Sequence, residues 1–289
     1  MSQAKTTYLL ILITWYILFF IFFIFLYIKY KKPYHLKCYV PIYKEIPEKL
    51  SPIELSMLLY HKITPNALTA TIAYLIEEGI IIREGNVLKK GIKEIALSTS
   101  QESVLDLLFN VMGDGKKVDV VSISGFCNDN SNATSFLITY DVWKQLAVKE
   151  ASTKQFFIQK MDYELVKWFQ WIGYILAILN FVFKFNLIAG YIIIIPAYFL
   201  LKYFYKIYKR TRFYNEQFYL WLALGNYLGN VKEKSEITFN KKWAIIYSVL
   251  LNKSYNVEKV LNGEDFYTEL NNSLHNCYNK AIFFGSRKI

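Results

Sequence analysis

The chain has 289 residues, of which 54% are apolar and 18% aromatic, and its formal net charge is +11. This composition fits small soluble modules attached to a few membrane spans better than one large globule. The basic excess flanks the apolar runs, where it orients spans and meets anionic headgroups, whereas a nucleic-acid module concentrates it on its own surface.

An apolar run near the N-terminus, residues 8–28, contains 21 residues without a charge. As a helix it would be about 32 Å long at ~1.5 Å per residue, enough to cross a bilayer. A signal peptide is the alternative, but the run is too long and no small-residue cleavage site follows it. Because Lys29, Lys31 and Lys32 follow the run, the positive-inside rule places residues 1–7 outside and residue 29 onward in the cytoplasm.

A linker, 29–46, leads to a first soluble unit predicted over 47–95. Ser51-Pro52-Ile53-Glu54 is a capping box with proline at the first helical position, which predicts a helix that ends near Tyr60. Thr64-Pro65 starts a second helix in the same way, and Gly79 ends it. Residues 80–89 then read as a short hairpin. The order helix, helix, two-stranded wing predicts a winged-helix-like unit.

The same stretch resembles a known family. Leu50-Ser51-Pro52, Thr69-Ala70-Thr71, Leu75 and Gly79 match the pattern of predicted membrane proteins of the domain-of-unknown-function 2207 family, also called YciQ-like. The similarity extends to about residue 247. The resemblance implies a membrane protein and supplies no catalytic residues. Members usually carry a large external β-rich domain before the first span, whereas seven residues stand there in this sequence. We therefore expect such a domain to be absent or supplied by another chain.

A second soluble unit, with the architecture of a degenerate winged helix, is predicted over 96–160. Helical spacing runs from Glu102 to Val111, residues 118–123 alternate like a strand, and residues 125–132 are polar and loop-like. From Asn132 to Glu150 the apolar residues share one helical face.

A long apolar stretch, residues 168–201, contains a single charge, Lys184. One helix of this length would be about 51 Å long, too long for a hydrocarbon core of about 30 Å. The sequence therefore predicts a hairpin of two spans, 165–183 and 187–205, that turns near Lys184. Basic residues at both ends of the hairpin favour a cytoplasmic location for both.

The remaining residues, 206–289, are predicted to be a cytoplasmic helical region. Residues 213–228 form an apolar arc that suits a helix either at the membrane interface or packed on the soluble module. Residues 241–251 and 264–284 have two further helical patterns.

The residues that usually carry chemistry are scattered. His35, His61 and His275 are isolated, and Cys38, Cys127 and Cys277 are far apart without metal spacing, so we expect free thiols in a reducing compartment. Glu77 and Glu78 point apart on a helix, and no phosphate-binding glycine loop is present. We predict no catalytic, cofactor-binding or metal-binding residues and no cofactor. Three glycosylation patterns, at Asn132, Asn252 and Asn271, should be unmodified in the cytoplasm.

DNA binding can be weighed by charge. The candidate reading helix, 65–78, offers Asn66 alone toward bases and no lysine or arginine, although Arg83, Lys89, Lys90 and Lys93 of the wing could meet phosphate.

These observations predict a mainly α integral membrane protein with three transmembrane helices and cytoplasmic winged-helix-like α+β modules. The function favoured is a non-enzymatic scaffold or signalling adaptor in the plasma membrane. The alternatives are a membrane-tethered transcription regulator and an enzyme whose site is assembled from scattered residues. Its expected partners are anionic headgroups at the inner leaflet and a protein partner or a second copy, rather than nucleic acid.

Overall fold

The computed structural model describes residues 3–36, 40–91, 96–158, 163–182, 195–196, 198–199, 202–204, 209–261 and 263–286. The chain divides into two compact units: unit 1 comprises residues 1–35 and 157–215, and unit 2 comprises residues 36–156 and 216–289. The described elements, in chain order, are α1 (Gln3–Tyr30), α2 (Pro52–Tyr60), α3 (Pro65–Glu77), β1 (Ile81–Glu84), β2 (Val87–Lys90), α4 (Thr99–Leu105, continued by a π-helical stretch, Asp106–Val111), β3 (Lys117–Asp119), α5 (Val120–Phe126), α6 (Asn130–Ala151), α7 (Tyr163–Val182), α8 (Arg212–Asn230), α9 (Lys241–Leu250), α10 (Ser254–Leu261) and α11 (Phe266–Ser286).

In unit 1, one stripe of α1 is buried and most of the rest of its surface is apolar and exposed. The stripe repeats every three or four residues and packs against α7, where the ring centroids of Phe22 and Phe169 are 4.8 Å apart. Among the described residues, α1 is the one helix long and apolar enough to cross a membrane, over Leu9–Tyr30. This agrees with the first predicted span. The buried stripe consists of Leu12, Trp15, Phe19, Leu26 and Tyr30.

The predicted hairpin of spans is only partly described. α7 coincides with the predicted second span, but its apolar part, Val166–Val182, is shorter than a full span. The turn at Lys184 and most of the predicted third span, 187–205, lie outside the described residues. A three-span topology therefore stays a prediction.

Helix α8 packs into unit 2 through its C-terminal half. Trp221, Leu224 and Leu228 are fully buried, and the ring centroids of Trp221 and Tyr247 are 4.6 Å apart. Of the two placements that the sequence left open, packing on the soluble module is the one observed for these residues.

Helix α3 is the central element of unit 2, and none of its residues is exposed. It contacts α2, α4, α9, α11 and β1. A buried hydrogen bond joins α3 to α11, from Thr69 Oγ1 to Asn271 Oδ1 at 2.8 Å. Another joins α9 to the residues before α2, from Tyr247 Oη to the Leu50 carbonyl at 2.9 Å. Because α3 is enclosed, its helical face is part of the core rather than a surface.

The hairpin has the predicted register and gains a third strand. Leu88 of β2 pairs with Arg83 of β1 and with Val118 of β3, both antiparallel, in the order β1-β2-β3. Gly85 at the turn has φ +60°, a conformation that favours glycine. The helix, helix, hairpin order of 47–95 is present, and its assignment to a winged helix stays a prediction.

Two local predictions beyond the hairpin are wrong. The predicted strand 118–123 ends at Asp119, because the Asp119 carboxylate accepts a hydrogen bond from the Val121 amide at 3.0 Å and starts α5. The predicted loop 125–132 contains the end of α5 and the start of α6. There the Asp129 carboxylate accepts a hydrogen bond from the Ser131 amide at 2.7 Å and starts α6 at Asn130.

The prediction of free thiols is wrong for two of the three cysteines. Cys127 and Cys277 form a disulfide with 5.1 Å between their Cα atoms, and both are fully buried. The bond joins the end of α5 to α11 across 150 residues of sequence, a separation at which spacing carries no signal. Cys38 lies outside the described residues.

Candidate ligand-binding cleft

A half-open cleft of about 320 Å³ lies in unit 2, where the N-terminal ends of α2 and α4 meet the first turn of α9. Its sides differ in chemistry: an apolar floor, an aromatic wall and a rim of charged and hydroxyl groups. Apolar pockets with a few placed polar groups are the usual form of binding sites in proteins.

The floor is formed by the start of α2. Ser51 Oγ accepts a hydrogen bond from the Glu54 amide at 3.3 Å, and the Glu54 carboxylate accepts one from the Ser51 amide at 2.8 Å. This reciprocal capping box satisfies two donors that the first turn leaves unpaired. It thereby fixes Leu50, Pro52 and Ile53, all buried, beneath the cleft.

The wall is formed by Trp243 and Tyr74. Their ring centroids are 6.0 Å apart, and Trp243 is also stacked on Tyr247 at 5.3 Å. The ammonium group of Lys49 lies 4.8 Å from the Trp243 centroid, within the range of a cation–π contact. Burial raises the pKa of Tyr74, so its hydroxyl is neutral at physiological pH.

The rim on the other side is formed by Glu150 at the end of α6. Its carboxylate accepts hydrogen bonds from the Ser100 amide at 2.9 Å, from Ser100 Oγ at 2.7 Å and from Thr99 Oγ1 at 3.0 Å. Burial acts to raise the pKa of Glu150, but these hydrogen bonds together outweigh it and hold the pKa below its ordinary value. The cleft therefore presents a stable negative charge at physiological pH.

Other perturbed groups of unit 2 have structural roles. Glu258 is buried and accepts hydrogen bonds from the Tyr267 and Thr268 amides at 2.6 and 2.9 Å, which caps the start of α11. Burial raises the pKa of its carboxyl. His275 Nε2 lies 2.6 Å from Asn66 Oδ1, and burial lowers the pKa of this imidazole.

The residues that the sequence singled out do not come together at one site. His61 is the C-cap residue of α2, in a left-handed conformation. Glu78 forms an ion pair with Lys242, whereas Glu77 accepts a hydrogen bond from Tyr267 Oη at 3.4 Å. No group of three His, Cys, Asp or Glu side chains is arranged to hold a metal within the described part of the chain.

The principal cleft residues, Trp243 and Glu150, were not predicted as site residues. They stand 93 positions apart in the sequence, and each belongs to a helix whose pattern indicates only a buried face. The capping boxes at Ser51 and Ser98 are local signals. The first was recognised from the sequence, but neither indicates that the two helix starts share a cavity.

Comparisons with known proteins give one result. No curated protein and no solved structure is significantly similar to this chain. A family model described as the C-terminal domain of a predicted membrane protein, DUF2207, matches residues 40–258, about three quarters of the chain. The match includes every residue of the cleft and agrees with the resemblance seen from Leu50 onward. The chain therefore belongs to the DUF2207 family of predicted membrane proteins.

Proposed function

We propose that this chain is a membrane-anchored, non-enzymatic adaptor whose unit 2 binds a segment of a partner protein in the cleft beside Trp243. The observation that carries the proposal is the aromatic wall that opens to solvent between an ammonium group and a carboxylate. Tryptophan and tyrosine in partly enclosed pockets concentrate binding energy at protein interfaces. Lys49 and Glu150 add one charge of each sign at the rim, which favours a partner segment with complementary charges.

We place unit 2 in the cytoplasm and residues 8–28, 165–183 and 187–205 in the plasma membrane as part of the same proposal. The basic residues that flank the apolar runs support this topology, and the Cys127–Cys277 disulfide of unit 2 is the observation against it, because such bonds are rare in the reducing cytoplasm. The winged-helix-like modules proposed for 47–95 and 96–160 would then supply the two helix starts of the cleft.

The roles of the perturbed titratable groups favour a binding protein over an enzyme. Catalytic acids and bases combine a shifted pKa with access to a substrate. Glu258 and His275 are instead committed to contacts within the core, and the Glu150 carboxylate caps α4. Of these three, only Glu150 faces the cleft.

DNA recognition receives less support from the same geometry. The candidate reading helix, α3, is enclosed within unit 2. Its one side chain suited to reading bases, Asn66, is hydrogen-bonded to His275. Two wing cations are paired, Arg83 with Glu264 at 2.6 Å and Lys89 with Glu84. Unit 2 holds 22 lysines and arginines against 21 acidic residues, so it lacks the positive field that phosphate binding needs.

Photo-crosslinking in intact cells tests the adaptor proposal. A photoreactive residue at Lys49 should give a discrete protein adduct, whereas one at Tyr255, 55% exposed on α10 and away from the cleft, should not. Trp243→Ala in addition to the crosslinker at Lys49 should remove the adduct, and protease resistance of the purified variant checks that it folds. Equal adducts at both positions, or an adduct that survives Trp243→Ala, would contradict the proposal. An adduct with a small molecule instead of a protein would contradict the adaptor proposal and indicate that the cleft binds a small ligand.

A further inference from the structure

The net charge of the protein belongs almost entirely to unit 1. Unit 1 contains twelve lysines and arginines against two acidic residues, a balance of +10, whereas the balance of unit 2 is +1. Of the two acidic residues, Glu164 is paired with Lys167 at 3.1 Å and Asp162 lies outside the described residues. Unit 1 is also the unit that contains the apolar helix α1.

Several described cations of unit 1 lie where α1 ends. Phe204, near the end of the predicted third span, and Lys209, after it, both contact the C-terminal part of α1. The ring centroids of Phe204 and Phe23 are 5.6 Å apart, and Lys209 Nζ donates to the carbonyls of Ile28 and Lys29 at 2.8 and 3.0 Å. Lys202 and Arg212 are therefore brought to the same end of unit 1 as Lys29, Lys31 and Lys32. The side chains of Lys29, Lys32, Lys202 and Arg212 are exposed.

Lys209 offsets the partial negative charge at the C-terminal end of α1. The C-terminal end of a helix carries a partial negative charge and unpaired carbonyl groups, which repel an anion. Lys209 satisfies two of these carbonyls, and its ammonium also lies 4.3 Å from the Tyr34 ring centroid. The end of α1 thus presents positive charge.

Aromatic side chains accompany these cations. The Lys31 ammonium lies 5.2 Å from the Tyr203 ring centroid, and that of Lys29 lies 5.0 Å from Tyr30. Tyr27 and Tyr203 remain 40% and 47% exposed. Tyrosine beside lysine at the end of an apolar helix is typical of the depth at which phospholipid headgroups lie.

We propose that the C-terminal end of α1, together with residues 202–204 and 209–212, forms a binding site for the headgroup of an anionic phospholipid. The phosphate of the headgroup lies among the exposed lysines, and the acyl chains continue along the apolar surface of α1. The exposed cations complement a phosphate group, and the apolar surface of α1 continues from them. Together they favour a lipid over a soluble phosphate or a nucleic acid.

Native mass spectrometry of the full chain in mild detergent tests this site. Purified protein is mixed with phosphatidylglycerol or phosphatidylcholine, and retained lipids are counted. We expect retention of phosphatidylglycerol over phosphatidylcholine, and a loss of about tenfold or more in K29Q/K32Q/K202Q, since each cation near an anionic surface contributes about fivefold. The matched control, K62Q/K90Q/K232Q, removes three exposed charges from unit 2 and should leave retention unchanged.

Three results would overturn the proposal: equal retention of both lipids, an equal loss in the control variant, or displacement of the lipid by millimolar glycerol phosphate, which would identify a site for soluble anions. A thermal unfolding midpoint within about 2 °C of the unmodified chain shows that each variant is folded. The outcome is independent of the cleft, because these substitutions lie in unit 1.

Discussion

Unit 1 and unit 2 differ in how far their tryptophan side chains are exposed. Trp171 of α7 is 61% exposed and Trp143 of α6 is fully buried. The exposed side of α7 repeats tryptophan, isoleucine and valine at helical spacing, whereas the aromatic residues of α6 face inward. The comparison shows that unit 2 encloses its aromatic side chains in a core, whereas α1 and α7 of unit 1 leave large apolar side chains exposed.

The units also differ in how their helix ends are satisfied. In unit 2 the capping groups are local, as Ser51, Ser98 and Asp129 each bond to amides two or three residues ahead. In unit 1 the end of α1 is capped by Lys209, 180 residues from Lys29. Local caps can form as soon as a helix does, while the end of α1 depends on a distant segment.

The largest expected effect comes from two matched tryptophan substitutions. Trp143→Ala should lower the free energy of unfolding of unit 2 by about 3–5 kcal/mol, because it leaves a cavity in the core. Trp171→Ala should cost less than about 1 kcal/mol, because its ring is not enclosed. Urea unfolding of the full chain in detergent, monitored by circular dichroism, measures both. Equal losses would show that the two units do not differ in the way described.

The disulfide gives the next largest effect. Cys127→Ser should lower the free energy of unfolding by about 2–4 kcal/mol relative to the oxidised chain, because the bond closes a long loop. Cys38→Ser serves as the control and should change little. Alkylation without reduction should label one cysteine of three in the isolated protein. Labelling of all three would show that the thiols are free, as the sequence alone predicted.

The smallest effects are opposite in sign and separate two carboxylates of unit 2. The pKa of Glu150 lies below its ordinary value of 4.5, so its stabilisation is complete above that value and is lost as the pH falls through the lowered pKa. The pKa of Glu258 is raised, so its contribution is complete below 4.5 and is lost as the pH rises through the raised pKa.

We therefore expect the free energy of unfolding of Glu150→Gln to be lower than that of the unmodified chain at pH 7, by roughly 1 kcal/mol or less because the side chain is only partly buried. The difference should shrink in acid. For Glu258→Gln, the free energy of unfolding should rise relative to that of the unmodified chain as the pH rises, by roughly 1 kcal/mol. Urea unfolding between pH 3 and 8 measures both trends. Parallel curves for the two variants would contradict the assignment of causes.

The sequence predicted those elements whose signals are local. Ser51-Pro52 starts α2, Thr64-Pro65 precedes α3 and Gly85 turns the hairpin, because capping and turn chemistry act within four residues. The strand prediction for 118–123 was wrong because the alternation of these residues was weighed without the Asp119 cap. Helix α10, Ser254–Leu261, was not singled out within the predicted helical region 206–289, because eight residues are fewer than the window in which a helical pattern is normally recognised.

Long-range features were beyond reach of the sequence. The Cys127–Cys277 bond, the contact of Thr69 with Asn271 and the cleft between Glu150 and Trp243 each join residues far apart along the chain. Such contacts depend on how the helices pack, and helix packing cannot be derived from the local patterns of a single sequence.

The interrupted order of unit 2 has a consequence for biosynthesis. Residues 157–215 of unit 1 are translated between its two parts, and α9 and α11, which enclose α3, leave the ribosome last. Thr69 and Asn271 are 202 positions apart, which at about 5–20 residues per second amounts to ~10–40 s of synthesis. The apolar faces of α3 remain uncovered in the nascent chain for that time, so the core of unit 2 closes only after the residues of unit 1 have been made.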